Sequence, residues 1–148
     1  MKNVFSFFTA FRRDTSDNGL ADLDYYKQGN VKYIQQDYKG AVVCFTKAIV
    51  IDPLDALAYH GRGIAKNQLR DYRAAISDFT KALEIYPRYA DAYYDRGIAR
   101  SGLHDQIGAV ADFKKAIEIY PRYAFSYSAK GYRRIEPHLL YRSNSRSN

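Results

Sequence analysis

Cysteine is almost absent from this 148-residue chain. The one that occurs, Cys44, has no internal partner, so no disulfide framework can hold the fold. A reducing, cytoplasmic compartment is the simple expectation. No run of about 18 apolar residues occurs, which argues against a membrane-spanning helix. The first residues, "MKNVFSFFTAFRRD", lack a small-residue cleavage site, and their arginines follow the apolar patch, so a secretory signal is not expected. Net charge is +7, yet no block of like charge appears. The excess is split between the middle of the chain and its C-terminal end, and the polybasic footprint of a nucleic-acid binder is weak. Tryptophan is absent, while there are 15 Tyr and 8 Phe. Tyrosine carries an apolar ring and a polar tip, which suits half-buried positions and contact surfaces.

Proline and glycine are few, and most of them keep one interval. Pro53, Pro87 and Pro121 are 34 residues apart, as are Gly29, Gly63, Gly97 and Gly131. Around the second and third prolines the same seven letters, "EIYPRYA", occupy Glu84–Ala90 and Glu118–Ala124. The chain divides without insertion into 22–55, 56–89 and 90–123, with a partial copy from 124. Tyr25, Tyr59, Tyr93 and Tyr127 align. So do Ala41, Ala75 and Ala109, then Phe45, Phe79 and Phe113, then Ala48, Ala82 and Ala116.

Each register has a physical reading. Ala41, Phe45 and Ala48 lie on one helical face. Small residues let a neighbouring helix approach, and the Phe fills the space between. A mid-helix Gly costs about 1 kcal/mol relative to Ala, a cost acceptable where another helix needs the room. Asp37, Asp71 and Asp105 fall at a turn, where a carboxylate can cap a second helix. Proline then stops that helix. Each unit reads helix, turn, helix, proline.

This pattern resembles the tetratricopeptide repeat (TPR), a 34-residue helix–turn–helix with aromatic, Gly, Ala, Phe and Pro at set spacings. The resemblance covers residues 22–136. It implies an all-α, right-handed solenoid: TPR units at 22–55, 56–89 and 90–123, and a capping helix at 124–136. Pro137 ends that helix, and the polar residues 137–148 read as a disordered tail. Two departures stand out. Before the Gly, where the family has an apolar residue, the chain has Gln28, Arg62, Arg96 and Lys130. Three residues after it, where an aromatic is usual, are Lys32, Lys66, Arg100 and Arg134.

Those charges need partners at a packing position. Asp78 and Asp112 share one register of the second helix, in the two repeats that carry Arg. In the first repeat the pair is Gln28 with Cys44, so both charges are missing together. The co-absence predicts ion pairs Arg62–Asp78 and Arg96–Asp112, since Arg suits a bidentate carboxylate contact in a partly dry site.

No catalytic constellation is visible, and no enzyme activity or cofactor is expected. His60, His104 and His138 occupy different repeat positions and the tail. His104 falls in a turn beside Asp105, as an exposed residue. No His/Cys spacing matches a zinc site, and no Gly-rich phosphate loop occurs. Cys44 reads as a small packing hydrophobe, not a nucleophile. Tyr with Arg or Lys can bind nucleic acid, but here the repeat accounts for their placement, so a basic RNA-associated module is the least favoured alternative.

What the resemblance implies is a binding surface. In the family, first helices line a concave groove that receives an extended peptide or a partner helix. The corresponding positions are Tyr26, Asn30 and Tyr33, then His60, Ile64 and Asn67, then Tyr94, Ile98 and Ser101, then Ser128 and Tyr132. Ile64 and Ile98 can equally serve packing between repeats. One branch of the family clamps acidic C-terminal peptides of chaperones with Lys, Asn and Arg. Asn30 matches that set, but its other positions are Tyr26, Gly61, Asp91 and Asp95, so chaperone-tail binding is not implied.

The N-terminal segment, residues 1–21, is amphipathic. Lys2, Ser6, Thr9 and Arg13 fall on one helical face; Val4, Phe5, Phe8 and Phe11 fall on the other. Such a helix can pack on the first repeat, self-associate, or lie in a membrane surface. "DTSDNG" at Asp14–Gly19 reads as the linker after it. The resulting expectation is a non-enzymatic adaptor that binds a peptide or helix of a partner protein. The alternative is a membrane-peripheral assembly factor held through Phe5, Phe8 and Phe11.

Overall fold

The computed structural model describes residues 15–124. Within them the chain is a run of six helices with no strand: α1 (Thr15–Ile34), α2 (Tyr38–Ile51), α3 (Ala56–Gln68), α4 (Tyr72–Ile85), α5 (Ala90–Gly102) and α6 (Gln106–Ile119). They pack as successive hairpins, α1 on α2, α3 on α4 and α5 on α6, and each hairpin stacks on the next. First helices also touch one another, α1 with α3 and α3 with α5. Phe5, Phe8, Phe11, Ser128, Tyr132 and nearly all of the expected capping helix lie outside the described residues.

The turns inside the hairpins repeat one geometry. Gln36, Arg70 and His104 each have φ of 62°, in the left-handed region. This lets the following Asp amide reach back to close the first helix, with Asp37 N donating to Lys32 O, Asp71 N to Lys66 O and Asp105 N to Arg100 O. The same Asp then caps the second helix. Asp37 accepts from Gly40 N at 2.9 Å, Asp71 from Ala74 N at 3.3 Å and Asp105 from Gly108 N at 2.9 Å. One residue therefore satisfies orphan backbone groups of both helices. His104 is exposed, as its turn position predicts.

The core is written by the registers. Phe45, Phe79 and Phe113 are the largest fully buried side chains, and Ala41, Ala48, Ala75, Ala82, Ala109 and Ala116 are buried around them. A Cβ on Gly29, Gly63 or Gly97 would lie 2.7 Å from the Phe45, Phe79 or Phe113 ring respectively. Gly61 on α3 is equally close to Phe45 from the other side. Phe45 is thus gripped between its own hairpin and the next. Stacked units bury a core that none could build alone.

The first copy of the duplicated heptapeptide joins the second hairpin to the third, and the second copy leaves the third hairpin with the same backbone bonds. Tyr86 N bonds Ala82 O and Tyr89 N bonds Tyr86 O; Tyr120 N bonds Ala116 O and Tyr123 N bonds Tyr120 O. The first joint makes the same two bonds with Asp52 and Asp55 in place of the tyrosines. One difference from the sequence expectation concerns Thr15–Gly19. Its composition suggests a linker, but α1 begins at Thr15 and runs through it for 20 residues. Once a helix is nucleated, each added residue gains a hydrogen bond, and a turn-rich stretch can be drawn in.

Candidate functional site

Two ion networks separate the structural charges from those left for binding. Arg62 donates to Asp78 from Nε at 2.9 Å and Nη2 at 2.7 Å. Arg96 repeats the fork on Asp112 with the same two distances, 2.9 and 2.7 Å. Both pairs expected from the sequence are present. What the sequence did not reveal is a second cation on each carboxylate: Lys66 lies 2.7 Å from Asp78, and Arg100 lies 2.9 Å from Asp112. The signal was available, because Lys66 and Arg100 follow Arg62 and Arg96 by one helical turn. Each Arg also reaches back to the preceding hairpin, Arg62 to the Thr46 hydroxyl and Arg96 to the Thr80 hydroxyl. Gln28, with no Asp opposite, donates to Asp24 on its own helix instead. These charges are consumed in holding hairpins together.

The inner layer is marked by hydrogen bonds that cross between first helices. At one end Gln68 on α3 donates to the Tyr33 hydroxyl on α1. At the other, His60 on α3 meets Asp95 on α5 at 2.8 Å through Nε2, while its Nδ1 lies 2.8 Å from the Tyr89 hydroxyl. A consistent assignment has Nε2–H donating to the Asp95 carboxylate and Nδ1 accepting from the phenol. The ring also lies 4.7 Å from Tyr89 and 5.6 Å from Phe79. His60 is thus a buried fixture of the inner layer, not an exposed contact.

The other inner-face residues divide by exposure. Tyr26, Asn30 and Tyr33 are half-exposed. Tyr26 leans on Phe45, with ring centroids 5.7 Å apart. Tyr94 is buried, 5.4 Å from Phe113 and stacked on Tyr123 at 4.9 Å. Ile64 packs against the core group of Ala75, Phe79 and Ala99, and Ile98 against that of Tyr94 and Phe113; both keep part of their surface. Asn67, Ile98 and Ser101 come together with Gln68 and Tyr72 around a cavity of about 470 Å³. Asn67 Oδ1 and Ser101 Oγ, one repeat apart, are buried and have no hydrogen-bond partner among the described residues.

Acid gathers at the third repeat. Asp91 and Asp95 are one turn apart on α5, and the Tyr123 hydroxyl donates to Asp91. Burial, then the charge of Asp91 among its neighbours, pushes the Tyr89 phenol well above its ordinary range. Burial and the bond to Asp91 do the same for Tyr123. Tyr33 is raised chiefly by burial, with Asp95 adding to it and the Gln68 bond opposing. These phenols are neutral across the physiological range; Tyr89 and Tyr123 donate to His60 and Asp91, while Tyr33 accepts from Gln68. Among the described residues no group of His, Cys, Asp or Glu could hold a metal ion, and no helix is long and apolar enough to cross a membrane.

A family model described as "TPR repeat" matches residues 29–69, and two described as "Tetratricopeptide repeat" match 56–89 and 90–123. The chain is similar to the TPR domain of Arabidopsis OM64, at 30% identity over 80% of this chain and 99% of that one, with a TM-score of 0.74. It is similar to the first TPR of Spaghetti (RPAP3), solved bound to the HSP90 peptide SRMEEVD, at 28% identity over 75% and 90% of the two chains, with a TM-score of 0.71. The second TPR domain of human RPAP3, solved with the HSP70 peptide SGPTIEEVD, shares 26% identity over 76% and 96%, with a TM-score of 0.71. No curated protein is matched by the sequence.

Proposed function

The chain belongs to the tetratricopeptide repeat family, and from that premise we propose that it is a non-enzymatic adaptor whose inner face holds a peptide or helix of a partner protein. The observation that carries this reading is the likeness, over about three quarters of the chain, to TPR domains solved with peptides bound. The inner face supports it chemically. Tyr26, Asn30 and Tyr33 offer half-exposed rings and polar tips at one end, and Asn67, Ile98 and Ser101 line the cavity farther along. Aromatic bodies with a few fixed polar groups are what peptide recognition uses. His60, Ile64 and Tyr94 serve the same face from below, by fixing its shape. The lone Cys44 supports a cytoplasmic place of work.

The test is a partner screen read through the groove. Full-length protein, and the double variant Asn30→Ala/Tyr33→Ala, are used as bait in parallel. Both side chains are half-exposed, so helicity should be preserved. Partners lost selectively from the variant support the groove. An unchanged set of partners places binding on the convex face or the termini.

A further inference from the structure

We infer that the groove selects a cationic segment, an extended stretch bearing lysine or arginine, and discriminates against acidic ones. This rests on the groove being the binding face and specifies what it takes.

The argument is one of unbalanced charge. Asp78 and Asp112 each carry two cations. Asp91 and Asp95 carry no Lys or Arg among the described residues: Asp95 has His60 and Asp91 has the Tyr123 hydroxyl. The arginines and lysines that α3 and α5 bring to the hairpin interfaces, Arg62, Lys66, Arg96 and Arg100, are already spent on Asp78 and Asp112. At the register of Asp95 the other repeats have Lys27 and Gly61, so the negative charge belongs to the third repeat. Arg88 and Arg122 line a pocket together with Asp91, but neither makes an ion pair with it among the described residues, and the Arg122 guanidinium sits over the Tyr120 ring, 4.1 Å from the centroid.

Asp91 has one structural purpose, since an acid in the first turn of α5 suits the helix dipole. Asp95 is in the second turn, beyond that effect, and two carboxylates at i and i+4 repel each other. Asp95 also sits in the hydrogen-bonded contact between two first helices, which puts it at the inner layer. Its charge is felt as far as Tyr33 on α1. A lysine or arginine laid along this face relieves the repulsion, while a carboxylate there adds to it. The polarity is thus opposite to what peptides such as SRMEEVD or SGPTIEEVD, with their Glu and Asp residues, require.

A library of random dodecapeptides displayed on phage tests this against full-length protein, Asp91→Asn/Asp95→Asn, and Asn30→Ala/Tyr33→Ala, with folding of each checked by circular dichroism. Asn keeps the size and hydrogen-bonding capacity of Asp, so both carboxylate sites should remain folded. The expected result is enrichment of peptides with Lys or Arg. An enriched peptide, synthesised and labelled, should bind the wild type about tenfold tighter than Asp91→Asn/Asp95→Asn. Its binding should also weaken as sodium chloride is raised, a readout needing no variant. Enrichment of acidic or uncharged peptides, or basic enrichment indifferent to the Asp changes, overturns the charge preference. If those peptides still fail on Asn30→Ala/Tyr33→Ala, the groove itself stands. No enrichment over uncoated support overturns both.

Discussion

Arg62 holds Asp78 with both arms of its guanidinium, at 2.9 and 2.7 Å, where the Asp78 side chain is 6% exposed. The contact joins the two helices of one hairpin, while Nη1 of the same Arg reaches Thr46 in the hairpin before it. Thr46 donates its own proton to Val42 O, so its oxygen is free to accept. A single side chain therefore ties together the helix pair and the stack.

Removing one member of that pair should hurt more than removing both. Asp78→Ala leaves Arg62 and Lys66 facing each other in a mostly dry site, and should cost about 3–5 kcal/mol. Arg62→Met/Lys66→Met/Asp78→Leu should recover much of that, since a packed apolar replacement avoids desolvating charge. Urea denaturation of the single and combined variants checks this through the coupling energy. Additive costs would show that the charges do not act as a unit.

Filling a glycine register should destabilise although alanine is the better helix former. A methyl on Gly63 would sit 2.7 Å from the Phe79 ring, which is fully buried and has no room to retreat. The propensity gain is about 1 kcal/mol, against an overpacking cost of about 1–3 kcal/mol. Gly63→Ala should therefore lose about 1 kcal/mol net in urea melts. Gly63→Ala combined with Phe79→Leu should lose less than the sum of the two single changes.

These two cases show what was legible in the sequence. The Gly–Phe packing could be read because one contact is written three times at a fixed interval. The Arg–Asp pairs could be read because Gln28 and Cys44 lack both charges at once. The hydrogen bonds of His60 had no such signal. Its partners, Tyr89 and Asp95, are 29 and 35 residues away, and neither has an equivalent at the same register in the first joint, where Asp55 and Gly61 stand. The ring contact itself does repeat, since His60 on Tyr89 and Tyr94 on Tyr123 are the same pair of positions 34 residues apart, and it was written in the duplicated heptapeptide. The Asp95 bond is made once, and a one-off interaction in a repeat protein leaves no periodic trace. Asn67 and Ser101 were legible as inner-face positions, but not as neighbours of one cavity, since the cavity is a property of two adjacent hairpins.

Glycine should be welcome at the turns. Arg70 is held at φ 62°, where a side chain costs about 1–2 kcal/mol and glycine costs nothing. Glycine gives back about 0.5–1 kcal/mol through the freedom of the unfolded chain. Arg70→Gly should then stabilise by about 0.5 kcal/mol, and Gln36→Gly/Arg70→Gly/His104→Gly by about three times that, because the turns are far apart and independent. Arg70 is exposed and its side chain supports nothing else in the described structure. A loss of stability on Arg70→Gly would mean that the left-handed turn is not strained.

Alkaline pH should loosen the inner layer through its phenols. Tyr89 and Tyr123 are pushed above the ordinary phenol value of 10.0, first by burial and then by the neighbouring acids. A group with a raised value in the folded state holds its proton more tightly there than in the unfolded chain. It therefore contributes stability that is complete below the ordinary value and is lost as pH rises from there toward the folded one. Lysines also titrate in this range, so the comparison must be between variants. At neutral pH the wild type should be more stable than Tyr89→Phe/Tyr123→Phe, which loses the hydrogen bonds to His60 and Asp91. Thermal melts taken from about pH 8 to about pH 11 should show that advantage shrinking steadily above about pH 10. The variant, with no proton to lose at either site, should decline less steeply. Parallel pH profiles for the two proteins would show that these phenols ionise as freely in the folded chain as in the unfolded one, and that the acids of the third repeat do not reach them.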